Sequence, residues 1–267
     1  MIKKIVILLL MASLLLSLTA CGSAYGVSAL ETLVEQSYSL AFRNGDDTTY
    51  YVVAALEQLN AEGTVEELSR KWFGRNIISF GKRAGAVDKL GDIPPQTFII
   101  GIDTDSFPMA YKDSNGQYFG FDVELAGAVA EKLGWTLQIQ PILKEDVYIE
   151  LYSGNIDCAW GGIVLDEKEL AKEKYTQYGP YVKNDIVVAV RENSGIFNQL
   201  QLHGKHMAMC ATDEAMAALE TDEKLVKRLG QITRLPGGTT ECFEFLYYGN
   251  CDAVLTDSTA LDYFNCH

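Results

Sequence analysis

Phe121-Asp122-Val123-Glu124-Leu125-Ala126-Gly127-Ala128-Val129-Ala130-Glu131-Lys132-Leu133-Gly134-Trp135-Thr136-Leu137-Gln138-Ile139-Gln140 carries the decisive pattern. Val123, Leu125, Ala126, Val129, Ala130 and Leu133 fall on one face of a helix that Gly134 ends. Thr136–Gln140 then reads as a strand. Upstream, Phe98–Ile102 is an apolar strand and Asn115-Gly116 a turn. Downstream come a helical Tyr148–Tyr152, the turn Gly154-Asn155, a buried strand Ile156–Trp160 and another at Ile186–Val190. After Gly195 a second series follows, with a strand Met207–Cys210, helices over 213–229, a helix Thr240–Tyr248, a strand Ala253–Thr256 and a helix from Ser258. Alternating strand and helix periods predict an α/β architecture.

The first third of the chain is organised differently. Val34 to Phe42 alternates like a strand and turns at Asn44-Gly45. Thr48 to Leu59 carries Tyr51, Val52, Ala55 and Leu59 on one helical face, and Gly63 breaks it. Thr64-x-x-Glu67 is a capping-box signature for a short helix through Trp72. Residues 75–96 read as a connector, stopped by Pro94-Pro95.

The 267 residues are 48% hydrophobic and 22% charged, a globular composition with room for two lobes. Thirty-six acids against 22 basic residues give −14, which excludes a nucleic-acid reader. Lys3 and Lys4 precede the apolar run Ile5–Leu18, too short to span a bilayer and right for a signal peptide over 1–20. Leu18-Thr19-Ala20-Cys21 resembles a bacterial lipobox, which implies a lipid on Cys21 and anchoring at the outer face of the cell membrane. Five cysteines remain after it: Cys158, Cys210, Cys242, Cys251 and Cys266. Cys158 reads as a buried hydrophobe, and Cys242 with Cys251 is the candidate pair. There is no CxxC, and His203, His206 and His267 fit no metal spacing, so neither metal nor cofactor is expected.

Four phrases carry a family resemblance: Phe119-Gly120-Phe121-Asp122-Val123, Gly154-Asn155-Ile156-Asp157, Gly179-Pro180-Tyr181 and Cys251-Asp252-Ala253-Val254-Leu255-Thr256-Asp257. From residue 97 onward the chain resembles the bacterial solute-binding proteins of polar amino acid ABC importers. That resemblance implies a two-lobed type II periplasmic-binding-protein fold, a small polar ligand such as an amino acid or amine, and an ABC permease as partner. Such proteins end with a crossover, a helix and a phrase like Lys71-Trp72-Phe73-Gly74, which here stands near the start. The order therefore reads as a circular permutation, or else as the tail of one receptor fused to most of another. The expected division is lobe 1 at 46–74 and 97–180, lobe 2 at 21–36 and 191–267, and interlobe crossovers at 37–45 and 181–190.

The resemblance carries candidate ligand contacts with it. Asp257 matches the carboxylate that takes the ammonium, although Asp there would equally cap the helix from Ser258. Phe107 matches the aromatic that packs on the ligand. Trp160, Gly161 and Gly162 match a stretch whose backbone meets the ammonium, with core packing the alternative for Trp160. Thr212 matches the helix start that holds the carboxylate, with Asp213 an awkward neighbour. The arginine that the family uses as a carboxylate clamp is missing, since no arginine lies between residues 84 and 190. Asp166 and Glu169 stand at the matching positions. Either Lys168 or Lys172 supplies a point charge, or the ligand lacks an α-carboxylate. Asp103, Asp105, Asp213 and Asp257 together point to a cationic ligand. No nucleophile elbow or phosphate cradle is visible, so a receptor is expected ahead of a sensory module or an enzyme.

Overall fold

The computed structural model describes residues 26–80 and 93–267. The signal peptide, Cys21 and most of the connector lie outside these residues. The chain builds two five-stranded sheets. In the first, β7 (Thr136–Pro141), β3 (Thr97–Ile102), β8 (Cys158–Ala159), β2 (Ser37–Phe42) and β9 (Thr176–Lys183) lie side by side. In the second the order is β1 (Val27–Val34), β10 (Ile186–Arg191), β13 (Ala253–Asp257), β11 (His206–Cys210) and β12 (Gln231–Leu235). A small sheet of β4 (Asp105–Ser106), β5 (Ala110–Lys112) and β6 (Tyr118–Phe119) flanks the first. The expected α/β, two-lobed architecture is present.

Helices cover both lobes. α1 (Thr48–Glu62), α2 (Thr64–Phe73), α3 (Phe121–Leu133), α4 (Val147–Ser153) and the short α5 (Glu167–Ala171) belong to lobe 1. α6 (Asp213–Glu220), α7 (Glu223–Arg228), α8 (Gly238–Tyr247) and α9 (Ser258–Cys266) belong to lobe 2. The apolar face read on α3 is the buried one, with Leu125, Ala126, Val129, Ala130 and Leu133 all inside. Gly134 ends that helix in a left-handed conformation, φ 68°.

The early segment is not a separate domain. Leu40, Phe42, Val52, Leu56 and Trp72 share one apolar core with Phe98, Phe121 and Trp160. β2 is inserted between β8 and β9, antiparallel to both. β1 pairs antiparallel with β10 in the other sheet. Asn265 at the end of α9 donates to the Val27 carbonyl at 2.7 Å and accepts from its N–H at 2.9 Å.

The expected continuous strand Val34–Phe42 is divided, with Glu35 and Gln36 between β1 and β2. The expected crossovers at 37–45 and 181–190 shorten accordingly. β2 and the end of β9 find ladder partners in lobe 1, and β10 finds its partners in lobe 2, so among the described residues only 35–36 and 184–185 pass between lobes. The two crossings lie together: Asn184 N–H donates to the Gln36 carbonyl at 2.9 Å, and Gln36 N–H to Asp185 Oδ1 at 3.3 Å. Two short, hydrogen-bonded crossings are the geometry for hinge bending between lobes. The strand read at Ile156–Trp160 is also shorter than expected, since only Cys158 and Ala159 pair.

Candidate functional site

The C-terminal ends of the lobe 2 strands face the β4–β5 region of lobe 1 across a cavity of about 400 Å³. That volume is within the range of small-molecule sites. Tyr38, Asp105, Ser106, Phe107, Tyr111 and Lys112 form the lobe 1 wall. Cys210, Thr212, Glu214, the loop 235–240, Thr256 and Asp257 form the lobe 2 wall.

Asp257 ends β13, and its side chain makes no cap hydrogen bond to α9. Its Oδ1 accepts instead from Asn184 Nδ2 at 2.8 Å. Asn184 is fully buried at the hinge. It also donates to the Tyr38 hydroxyl and accepts from Thr259 N–H at 3.2 Å and Thr259 Oγ1 at 2.6 Å. Both side-chain polar atoms of Asn184 are thus used, and the carboxyl of Asp257 is held at the cavity wall by the side chain of a residue in the hinge. Burial pushes the Asp257 pKa up to about 6; the Asn184 hydrogen bond opposes this, and the Glu214 charge adds to it.

Phe107 lines the cavity, and its ring also packs on Tyr111, Tyr263 and Phe264 at centroid distances of 5.1, 4.8 and 5.6 Å. It is therefore a cavity wall and a contact between lobes. Thr212 lines the cavity at the start of α6, where its Oγ1 accepts from Ala215 N–H at 3.2 Å.

Trp160, Gly161 and Gly162 stand elsewhere. Trp160 is fully buried and donates from Nε1 to Asp122 Oδ1 at 3.2 Å. The Gly161 carbonyl accepts from Asp103 N–H at 3.3 Å. Gly162 donates to Asp122 Oδ2 at 3.0 Å and accepts from Ser106 Oγ at 3.1 Å. None of the three lines the cavity, and the Trp160 Nε1–H and the Gly161 and Gly162 carbonyls are hydrogen-bonded inside lobe 1. Both glycines have positive φ, 145° and 67°. A Cβ on Gly161 would lie 2.7 Å from Ile102 Cγ2, and one on Gly162 would run into Ser106. Their role is to let the Ser106 loop approach the sheet.

Several cavity residues carried no sequence signal. Glu214 lies one residue past the expected helix start and faces the cavity from lobe 2. Thr256 Oγ1 is buried in the cavity wall with no hydrogen-bond partner. Lys144, between β7 and α4, bridges the lobes with Nζ 2.8 Å from Asp103 Oδ2 and 2.6 Å from Glu214 Oε1. Burial pulls the Lys144 pKa down, but the two carboxylates outweigh it and hold the ammonium above its ordinary value. Lys168 and Lys172 are exposed, and neither lines the cavity. Among the described residues, Asp105, Glu214 and Asp257 line the cavity with one basic residue, Lys112, while Glu214 is paired with Lys144. We expect Lys144→Met to open the ligand-free protein, seen as a larger radius of gyration in small-angle scattering. An unchanged radius would show that the bridge does not hold the lobes together.

Among the described residues after Cys21, all five cysteines are free thiols. The candidate Cys242–Cys251 pair, which the sequence left open, is not formed. The thiol facing Cys242 is Cys210, with Sγ atoms 3.5 Å apart.

Residues 98–256 match the bacterial extracellular solute-binding proteins, family 3. A probable amino-acid ABC transporter-binding protein of Haemophilus influenzae is 27% identical over 173 residues, 64% of each chain. A probable ABC transporter arginine-binding protein, ArtJ, of Chlamydia trachomatis is 29% identical over 112 residues, 41% of this chain and 43% of the relative. The chain thus spans less than two thirds of the length of either relative. A polar amino acid ABC uptake transporter substrate-binding protein from Streptococcus thermophilus is similar at 27% identity, covering 60% of this chain and 61% of its own, with a TM-score of 0.49.

Proposed function

The chain belongs to the bacterial extracellular solute-binding proteins, family 3, and on that footing we propose that it is a receptor for a small ammonium-bearing ligand. In this reading the ligand enters between the lobes, the hinge at 35–36 and 184–185 closes, and the complex delivers its load to an ABC importer. The observation that carries the reading is Asp257, a carboxylate held by the hinge Asn184 on the wall of an interlobe cavity. A desolvated carboxylate meeting an ammonium forms a charge-assisted hydrogen bond.

Charge selects the ligand class. Asp105 and Asp257, with Glu214 neutralised by Lys144, favour a basic amino acid or an amine over a dicarboxylate, whose extra charge would be buried without a partner. A relative named for arginine binding accords with this choice. In place of the missing arginine, the start of α6 at Thr212 and the first turn of α8 at Gly238–Thr240 would offer backbone N–H groups to a ligand carboxylate, the Gly237 N–H being taken by Glu241. Phe107 and Tyr111 wall the ligand side chain. Calorimetric titration with arginine, lysine, histidine, glutamate and a diamine tests the reading. Binding of the cations is expected; tight glutamate binding with no detectable cation binding would overturn it.

The lipobox reading places the receptor on the outer face of the membrane through Cys21. Cys21→Ser should release it from the membrane fraction, and retention there would contradict the anchor. The permuted order is part of the same proposal, supported by β2 lying inside the lobe 1 sheet and β1 beside β10. A rearranged chain that starts at residue 93, runs to 267 and continues through 26–80 by a short linker should fold and keep its ligand affinity. The Val27–Asn265 contact leaves only a short gap to bridge. A rearranged chain that fails to fold would remove the permutation reading.

A further inference from the structure

We propose that Cys210 and Cys242 form an oxidisable dithiol opening on the interlobe cavity, and that Cys210 takes up small cationic disulfides there. Cys210 ends β11 and lines the cavity, while Cys242 is fully buried one layer behind it on α8. Their Sγ atoms are 3.5 Å apart, and a disulfide needs about 2 Å, so a shift of a side-chain rotamer and a small movement of α8 suffices. The Thr239 hydroxyl lies 3.6 Å from Cys210 Sγ. Cys210 lines the cavity and Cys242 does not, which makes the cavity-facing sulfur the nucleophile, and hydrogen bonding by Cys242, then by Thr239, lowers its pKa against the effect of burial. Cys251 is buried in the same apolar cluster and does not line the cavity. The extracellular setting of the family is one in which thiol pairs meet oxidants.

The chemistry balances as two exchanges. The Cys210 thiolate attacks one sulfur of a disulfide R–S–S–R, forming Cys210–S–S–R and expelling RS⁻, which takes up the proton that Cys210 lost. The Cys242 thiol then loses its proton and attacks Cys210 Sγ. This forms the Cys210–Cys242 bond and releases a second RS⁻, which takes up that proton. Two protein thiols are oxidised, and one small disulfide is reduced to two thiols. Asp105 and Asp257 on the walls favour a disulfide bearing ammonium groups and disfavour an anionic one, Glu214 being paired with Lys144. The inference stands on thiol geometry and wall charge and does not require the transported ligand to be an amino acid.

The test uses the purified, reduced protein incubated with cystamine, a diammonium disulfide, or with 3,3′-dithiodipropionate, its dicarboxylate counterpart. Remaining thiols are alkylated and the cysteines located by peptide mapping. The exposed thiol of Cys266 serves as an internal reference for each reagent. Cystamine should join Cys210 to Cys242, leave Cys251 alkylated, and react at this pair about tenfold faster than the dicarboxylate after normalisation to Cys266. In Cys242→Ser the mixed disulfide should be trapped on Cys210. Should that variant fail to fold, the mapping and the rate ratio on the unaltered protein decide. No linkage, a linkage through Cys251, or equal normalised rates would overturn the proposal.

Discussion

Asp257→Ala is expected to weaken binding of an ammonium ligand by about 2–5 kcal/mol, roughly 30-fold to 4000-fold, the cost of removing one partner of a desolvated charge pair. Asp257→Asn separates charge from shape, since its carbonyl oxygen can still accept from Asn184 Nδ2. It should fold normally and still lose most of the affinity. An unchanged Kd in both variants would leave Asp257 with a structural role alone. The pH dependence follows from the pKa of about 6. Only the carboxylate form attracts an ammonium, so affinity should be flat above pH 7 and fall as pH drops through 6, approaching tenfold per pH unit below it. Stability of the ligand-free protein runs the other way at this group. Its folded pKa lies above the ordinary 3.8, so its contribution is full below about pH 4 and lost as pH rises through 6. Titration calorimetry from pH 5 to 8 reads the first effect, and urea unfolding over pH 4 to 8 the second.

Asp122→Ala should be the most destabilising change outside the cavity. Asp122 is fully buried at the start of α3 and accepts from Trp160 Nε1 at 3.2 Å, Gly162 N–H at 3.0 Å and Tyr181 O–H at 2.6 Å. Alanine would leave three buried donors without an acceptor, an expected cost of about 3–5 kcal/mol. Asp122→Asn restores one acceptor and should recover part of the loss. Burial pushes the Asp122 pKa up to about 7, against the three hydrogen bonds. Its folded pKa therefore exceeds its unfolded value, and its contribution to stability is full below about pH 4 and lost as pH rises through 7. The Asn variant should show a flatter stability profile between pH 4 and 7. An alanine variant as stable as the unaltered protein would mean that the donors find water or new acceptors.

The role of Asp122 also explains where the sequence reading of Trp160 ran out. Trp160, Gly161 and Gly162 follow a buried strand toward a cleft, which is the pattern of a ligand-meeting loop. Whether such a loop offers its polar groups to a ligand depends on what already occupies them, and here Asp122, Asp103 and Ser106 do. No spacing within residues 156–163 reports a carboxylate about 40 positions upstream. For Asp257 the sequence left two roles open, cap or ligand contact. The absence of any cap hydrogen bond and the presence of Asn184 favour the second.

Most of the helices, the α3 face, the turn glycines and the acidic balance were legible because they are local, whereas β1, β9 and β12 were not read as strands. Periods of 2 and 3.6 and left-handed glycines need only a few neighbours to declare themselves. The phrases marked residues 37–45 as a crossover between lobes, and only the tertiary structure set β2 between β8 and β9 in the lobe 1 sheet. The two-residue crossings, the Asn184–Asp257 contact, the Lys144 bridge to Glu214, the unpartnered Thr256 hydroxyl and the Cys210–Cys242 approach were decided by tertiary structure. Each joins groups on different elements or depends on how a strand end is covered. The distances involved, 2.6 to 3.5 Å, are set by how two sheets and their helices close on one another, and a side chain's burial and charge state follow from that closure, which no local period encodes.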